Sequence, residues 1–254
     1  MLPRKKRIVE EVDVHDPILR EQLAKLLVEI ESVASSRQNQ SMANYERATR
    51  NSIGRAVETT TPAVTSASDG QVNRGTHLPE TDTRQQKALI MKLFTDSAPA
   101  KLPAILEKIG TFLDDRLSGK LLIFAHHQCV MEGLSKFLAK RGIESIRIDG
   151  QTAVKDRFAK VAHFQKAPTC RVALLAITAA GVAITLTAAS TVFFAELYWT
   201  PGSMIQAEDR AHRIGQTSTV SIHYFLGKGT VDELLWPMVQ NKMRLLGEVV
   251  EGTA

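Results

Sequence analysis

The sequence predicts an α/β fold in which helices cover both faces of a parallel sheet. From residue 120 onwards, short apolar runs such as residues 121–125 alternate with helical stretches. Strands that are covered on both faces read as continuous apolar runs, because neither face meets water. The 44% hydrophobic content of the 254 residues is enough for one sizeable core.

Local signals predict the order of the elements. Asp16 and Pro17 begin a first helix, one helix carries Ala88 to Phe94, and a second amphipathic helix carries Leu102 to Leu113. Thr230 and Glu233 form a capping box that begins the last helix. The predicted strands are residues 8–14, 121–125, 145–148, 171–175, 191–195 and 220–225.

Composition divides the chain. Residues 34–84 are rich in Ser, Thr, Asn, Gln and Gly and show no period, which predicts a disordered insertion. Residues 85–247 form the predicted α/β domain, helical segments precede its strands, and residues 248–254 are a tail.

Charge and cysteine content restrict the class of protein. The net charge of +5 fits a nucleic-acid partner without requiring one. Cys129 and Cys170 lack a CxxC or histidine spacing, so we expect reduced, partly buried thiols and no metal site. Residues 172–197 are apolar but broken by Thr, Gly and Ser, so no membrane partner is predicted.

Candidate site residues follow the predicted strands, because ligands of parallel sheets bind at the carboxyl ends of the strands. Two histidines there alternate in direction and are not expected to share a metal ion. The candidates at these strand ends are His126, His127, Gly150, Thr152, Thr178, Gly181, Thr185 and Trp199.

Residues 206–216 carry the most specific pattern. On a helix, Gln206, Asp209, Arg210 and Arg213 would share one face, and two arginines on a polar face require anions opposite them. The alternative is a solvated helix on which Glu208 and Asp209 balance the arginines.

This segment resembles motif VI of the Snf2 family of superfamily 2 helicases, Q-A-x-D-R-x-H-R-x-G-Q, and every fixed position is present. The resemblance implies a RecA-like C-terminal helicase lobe. It also implies that Arg210 and Arg213 face the γ-phosphate of ATP, with Arg213 as the better candidate arginine finger. Gln206, Asp209 and Gly181 would then lie near the nucleotide.

Neighbouring blocks resemble the same family in the same order. Residues 121–127 resemble motif IV, 147–152 the R-x-D-G-x-T block, 176–189 motif V, and 199–201 the W-x-P turn. Ala183 and Thr185 depart from the glycine and asparagine of many relatives. Residues 1–33 resemble the end of a first lobe and the crossing into the second. The implied DNA-binding or coupling residues are His126, His127, Gly150, Thr152, Thr178, Thr185 and Trp199.

No phosphate-binding G-x-x-x-x-G-K-[ST] loop is present, and residues 227–230 are only the nearest string. ATP and Mg²⁺ would therefore be bound mainly by a first RecA-like lobe, and we expect the chain alone to be inactive.

The resemblance implies the second motor lobe of a translocase on duplex or forked DNA. It is nearest to the annealing-helicase branch, with a nuclear location that the basic residues 3–7 also suggest. The alternatives are a chromatin-remodelling lobe and a non-catalytic DNA- or protein-binding module. The hypothesis of a dinucleotide-binding enzyme is weakly supported, because the G-x-G-x-x-G fingerprint after the first strand is missing.

Overall fold

The apolar runs of the sequence form a six-stranded sheet in the order β1-β6-β5-β2-β4-β3, and all neighbouring strands are parallel. The predicted fold class is confirmed. The computed structural model describes residues 2–30, 80–115, 117–181 and 184–251. The strands are β1 Lys5–Asp13, β2 Lys120–Ala125, β3 Ser145–Ile148, β4 Val172–Ala176, β5 Ala189–Phe194 and β6 Val220–Lys228.

The chain divides into two units, Met1–Arg20 with Met91–Ala254, and Glu21–Ile90. The sheet belongs to the first unit. Of the second unit, the structure describes residues 21–30 and 80–90, which are helical. Of the predicted disordered insertion, residues 34–79 lie outside the described residues, whereas residues 80–84 are helical, so the prediction was wrong for that part.

The centre of the sheet is buried on both faces. Residues 121–125 of β2 and 172–176 of β4 are all buried, which explains why their sequences are continuously apolar. The chain runs from β2 to β3 and β4 on one side, and then to β5 and β6 on the other. The loops after β2 and β5 therefore meet where the strand order reverses, which is where such sheets bind ligands.

Helices connect the strands, and none in the described part of the chain is long and apolar enough to cross a membrane. The helix Asp232–Glu251 continues past the predicted end of the domain at Gly247. The helix Glu80–Asp114 begins before the predicted start of the domain at Gln85. The helices are α1 (residues 17–30), α2 Glu80–Asp114, α3 Gln128–Lys140, α4 Val154–Lys166, α5 Pro201–Glu208 and α6 Asp232–Glu251, with a 3₁₀ helix at Ile177–Gly181.

The prediction of two separate helices between residues 85 and 113 was wrong, because α2 is one continuous helix that contains Pro99 and Pro103. Each proline removes a backbone donor and normally kinks or ends a helix. A stripe of buried side chains that includes Phe94, Ile105 and Ile109 continues past both prolines. Burial of this stripe outweighs the local cost of the prolines.

The last helix begins where it was expected, but its capping hydrogen bonds are shifted. The Thr230 hydroxyl accepts from the amide of Asp232 at 3.3 Å, and the Glu233 carboxylate accepts from the amide of Gly229 at 2.7 Å. The Asp232 carboxylate accepts from the amide of Gly227 at 2.9 Å. Residues 227–230 are the part of the sequence most similar to a phosphate-binding loop. Within them, the backbone amides of Gly227 and Gly229 already donate to carboxylates.

A buried ion pair joins α2 to the start of α6. Lys101 Nζ lies 2.6 Å from Asp232 Oδ2, and both side chains are almost fully buried. A Cβ on Gly227 would lie 2.7 Å from Lys101 Cδ, so this turn requires glycine where the lysine crosses it. A buried charge is tolerated only when it is paired, so each partner depends on the other.

We expect Lys101→Met to lower the free energy of unfolding by roughly 3–5 kcal/mol, because it leaves the Asp232 carboxylate buried without its cation. Adding Asp232→Asn to this variant should recover most of the loss. Lys108→Met is the matched control. Lys108 also lies on α2, but its ion pair with Glu10 of β1 is half-exposed, so losing that pair should cost under about 1 kcal/mol. Urea denaturation measures all four proteins. Equal losses for the two lysine variants would contradict the buried pair.

Candidate functional site

Contacts sort the predicted site residues into separate groups at the strand ends. Arg210 and Arg213 meet the segment around Thr185. The 3₁₀ helix Ile177–Gly181, which carries Thr178 and Gly181, packs against α5, the helix of Gln206. Another group contains His126, His127 and Trp199, and a further one contains Gly150 and Thr152.

Residues 209–216, which we call the arginine segment, are not helical, so the expectation of a helix there was wrong. Gln206, Asp209, Arg210 and Arg213 nevertheless line one pocket, as a shared face would require. Helix α5 ends at Glu208 and Asp209 is its C-cap. The carbonyl of Arg210 accepts from the amide of Leu186 at 2.8 Å, outside the helix. Because this carbonyl is used elsewhere, the chain turns away from the helix and presents Arg210 and Arg213 from a loop.

Gln216 holds this loop in place, although no sequence signal distinguishes it from the rest of the motif. Its amide nitrogen donates to the carbonyls of Thr187, Ala189 and Ala211 at 3.2, 2.9 and 3.2 Å. Its amide oxygen accepts from the amides of Thr217 and Ser218, each at 3.0 Å. One nearly buried side chain therefore joins the arginine segment to the loop before β5. Only its position as the last fixed residue of the motif could have indicated it.

The two arginines have no acidic partner within 4.0 Å among the described residues. Arg210 reaches only the Ile184 carbonyl, at 3.5 Å, and Arg213 donates to the Thr185 hydroxyl at 3.3 Å. Burial lowers the pKa of Arg210, and the neighbouring charge of Arg213 lowers that pKa further. The charge of Asp209 partly offsets this effect on Arg210. Two adjacent guanidinium groups that form no ion pair of their own make a site that an anion would stabilise.

The acids beside the arginines form their ion pairs with β1. Glu208 therefore does not balance the arginines as the alternative expected, whereas the half-exposed Asp209 still acts on Arg210 through its charge. Arg7 donates two hydrogen bonds of 2.7 Å to the Glu208 carboxylate. Lys5 lies 3.0 Å from Glu208 and 2.7 Å from Asp209. Lys5 and Arg7 are two residues apart in a strand, so they share one face of it.

Pro3 extends this arrangement by two residues, because its carbonyl bonds the ring Nε2 of His212 at 2.7 Å. We call Pro3, Lys5 and Arg7 the β1 clasp. Glu208 is fully buried and also accepts from the Tyr224 hydroxyl. Burial opposes ionisation of Glu208, but its bond to Arg7 and the charges of Lys5 and Arg7 outweigh burial and lower its pKa. The clasp therefore fixes the end of α5, from which the arginines project.

An open pocket of about 420 Å³ lies over the arginine segment. Its charged and polar walls come from the two arginines and from side chains of α5 and its C-cap. Such a pocket suits a small anion or one face of a larger phosphate-bearing ligand. It is lined by Leu2, Gln206, Asp209, Arg210, His212, Arg213 and Ile214.

Glu196 organises the histidine group at the strand-order reversal. Its Oε2 accepts from the amides of His126 and His127 at 2.7 and 2.9 Å, and its Oε1 bonds the His127 ring at 2.5 Å. Burial would raise the pKa of Glu196, but the bond to His127 and nearby positive charge leave it lowered. Burial and the adjacent His127 lower the pKa of His126. The sequence did not indicate Glu196.

Aromatic rings surround these histidines. The Phe94 ring centroid lies 4.8 Å from that of His127 and 5.1 Å from that of Trp199, and the His126 ring lies 4.8 Å from that of Tyr198. The indole nitrogen of Trp199 is buried and has no hydrogen-bond partner in the described part of the chain. Trp199 therefore packs within this cluster and does not stand free as a stacking platform.

The turn after β3 holds itself together. The Thr152 hydroxyl accepts from the Asp149 amide and donates to the Asp149 carboxylate, both at 3.1 Å. Arg157 donates to the carbonyls of Thr152 and Asp149 at 2.8 and 3.1 Å. These bonds fix Gly150 at the tip of an exposed turn. Val182 and Ala183, including the departure noted at Ala183, lie outside the described residues.

Residues 101–215 match the family described as the helicase conserved C-terminal domain. A 164-residue match to the SWI/SNF-related matrix-associated actin-dependent regulator of chromatin subfamily A-like protein 1 of Xenopus tropicalis is 46% identical. The chain carries a C-terminal helicase lobe of the Snf2 family. The resemblance inferred from the motifs is confirmed.

Other comparisons agree with this Snf2 lobe. The DNA annealing helicase and endonuclease ZRANB3 of Homo sapiens is 45% identical over 164 residues. These matches cover 65% of this chain but only 17% and 15% of the Xenopus and human relatives. The structure of the C-terminal part of the Fun30 ATPase domain has a TM-score of 0.62 at 17% identity, covering 94% of this chain and 90% of that one, and shows the same fold.

We expect Arg7→Met to loosen the arginine segment of the Snf2 lobe. The lost bonds to a charged acceptor are worth about 1.5–3 kcal/mol, so amide hydrogen exchange in residues 209–216 should accelerate about tenfold or more. Lys6→Met removes the same charge from the opposite, exposed face of β1 and should change nothing. Hydrogen-exchange mass spectrometry of this chain measures both. Unchanged exchange in Arg7→Met would show that the clasp does not hold the segment.

We expect Glu196→Gln to reduce the acid sensitivity of the lobe. Because folding lowers the pKa of Glu196, its carboxylate stabilises the fold above its unfolded pKa, and this contribution is lost as the pH falls through the lower, folded value. Wild type should therefore lose stability below about pH 4.5, while Glu196→Gln should be weaker at neutral pH and have a flatter profile. Glu107→Gln, on the exposed face of α2, is the control. Parallel melting-temperature profiles for wild type and Glu196→Gln would refute this.

Proposed function

We propose that this chain is the second motor lobe of an ATP-driven translocase on double-stranded DNA that acts in strand annealing and replication-fork remodelling. The main support is the pair Arg210 and Arg213, which lines a pocket and contacts a backbone carbonyl and a hydroxyl group. Neither arginine forms an ion pair with an acid among the described residues. The name of the human relative, a DNA annealing helicase, supports the branch.

In this proposal, a first RecA-like lobe holds ATP and Mg²⁺, and the pocket of the arginine segment closes on the γ-phosphate. Arg213 is the arginine finger, since its side chain is exposed and anchored only at Thr185. Arg210 is partly buried beneath it and supplies a second positive charge. Gln206, Asp209 and Gly181 lie on elements around the same pocket and are proposed to contact the nucleotide.

The contacts also suggest how nucleotide state reaches DNA. The backbone of Leu186 bonds that of Arg210, and Thr185 bonds Arg213, so the loop after β4 and the arginine segment move together. We assign that loop, with Thr178, to coupling. His126, His127, Gly150, Thr152 and Trp199 complete the proposed DNA-facing and coupling surface. Binding would depend mainly on phosphate contacts and would weaken steeply with salt. This role places the protein in the nucleus.

A non-catalytic binding module is the second candidate. It is favoured by the turn of residues 227–230, where carboxylates already occupy two backbone amides and no phosphate loop is present. Such a module would bind DNA or a partner protein without hydrolysing ATP. It gives no reason for two fixed arginines without an acidic partner.

Joining this chain to the proposed first RecA-like lobe should produce DNA-stimulated ATP hydrolysis, which the chain alone should lack. Arg213→Ala in the joined protein should reduce the maximal rate by roughly 10³–10⁵-fold, because the finger stabilises charge on the transferred phosphoryl group. Arg213→Lys should recover little of this rate, since it lacks the planar fork. Lys155→Ala, which removes an exposed charge from α4, should leave the rate unchanged.

Hydrolysis with and without forked DNA, measured at saturating ATP, separates the two candidates. A joined wild-type protein that stays inactive while this chain binds DNA would overturn the motor and favour the binding module. A fully active Arg213→Ala variant would keep the motor but remove Arg213 as its finger.

A further inference from the structure

Three metal-ligand side chains converge at the amino end of the sheet, the end opposite the arginine segment. Glu144 precedes β3, His163 lies in the last turns of α4, and Cys170 precedes β4. One donor atom from each residue lies within 4.8 Å of the other two. The fold brings them together although Glu144 and Cys170 are 26 positions apart in sequence, and the three residues match no zinc-finger spacing.

We propose that Glu144, His163 and Cys170 bind a Zn²⁺ ion, with water as the fourth ligand. A thiolate, an imidazole and a carboxylate form a ligand set that zinc prefers and that Mg²⁺ and Ca²⁺ do not. Tetrahedral bonds of the usual length would place these donors about 3.3–3.6 Å apart. Glu144 Oε1 and His163 Nε2 now lie 2.6 Å apart, so they need to separate by only about 1 Å to admit the ion.

Burial suits a site that opens to solvent on one side. Cys170 is buried, whereas the side chains of Glu144 and His163 are about half exposed. The ion would enter between the two exposed groups and meet the thiol beneath them. The ammonium of Lys120 donates to the carbonyls of Phe164 and Ala167, while its charge also acts on Glu144 and Cys170.

The two cysteines differ in environment, which provides an internal control. We expected both thiols to be partly buried, but Cys129 is exposed and Cys170 is buried. Cys129 lies at the start of α3, outside the group of three ligands. The expectation of no metal site rested on sequence spacing, whereas this proposal rests on the proximity of Cys170 and His163 in the fold.

A bound ion would tie the loop that leads into the edge strand β3 to α4 and to the start of β4. Because zinc would bind the folded chain and not an equivalent site in the unfolded chain, it should raise the melting temperature. This role is structural. It is independent of ATP, DNA and the arginine segment, so its test does not depend on the proposed motor function.

The test is titration of the chelator-treated chain with Zn²⁺ against a chromophoric competitor, with Co²⁺ as a spectroscopic probe. We expect one Zn²⁺ per chain, a higher melting temperature, and a cobalt–thiolate charge-transfer band. Cys170→Ser should abolish the band and weaken zinc binding at least about tenfold, and His163→Gln should weaken it similarly. Cys129→Ser should behave as wild type, and Mg²⁺ should not compete.

The proposal is overturned if the wild-type chain binds no Zn²⁺ beyond a Glu144→Gln, His163→Gln, Cys170→Ser triple variant. It is also overturned if the cobalt band is lost in Cys129→Ser but kept in Cys170→Ser, which would place the ion elsewhere. His163 is exposed, so His163→Gln should remain folded, and it tests the site even if replacement of the buried cysteine unfolds the chain.

Discussion

The buried carboxylate of Glu208 is the constraint on which the arrangement of the candidate site depends. An ionised carboxylate inside a protein is tolerated only when hydrogen bonds and opposite charges replace its water. Arg7, Lys5 and Tyr224 supply them, from the edge strand β1 and from β6 beside it. One interaction therefore fixes the position of β1, the end of α5 and the direction in which the chain leaves that helix.

This constraint explains why Arg210 and Arg213 form no ion pair among the described residues. In an isolated charged helix, Asp209 would be the partner of Arg213 at a spacing of four residues. The β1 clasp pairs with Glu208 and with one oxygen of Asp209, so neither arginine forms an ion pair among the described residues, and Asp209 acts on Arg210 only through its charge. Gln216 then holds the loop by five hydrogen bonds to backbone groups. A rigid loop whose two guanidinium groups have no ion pair in the described chain is prepared for an anion before the anion arrives, which lowers the cost of binding.

The elements that the sequence predicted well are those whose burial is complete. Residues 121–125 and 172–176 read as strands because every position is apolar, and that pattern requires a sheet covered on both faces. The same reasoning failed for residues 209–216, since a helical period in charged residues says nothing about carbonyls that bond another loop. It failed at Pro99 and Pro103 for a related reason, because burial of distant side chains outweighs a local break. The group of Glu144, His163 and Cys170 could not be predicted from the sequence, because only the packing of α4 against the sheet edge brings these residues together.

Three buried acids share one pattern, which links stability to the surface of the site. Glu196 lies in the loop after β5, Glu208 is the last residue of α5 and Asp232 is the first residue of α6. Each is paired with a basic side chain from another element. Two of them also bind backbone amides directly, Glu196 at the start of α3 and Asp232 before α6. Such pairs add little net stability compared with apolar packing, but a wrong loop conformation would leave a charge buried and unpaired. We infer that they specify the loop conformations, and that the pairing of Glu208 with β1 leaves Arg210 and Arg213 without an ion pair among the described residues.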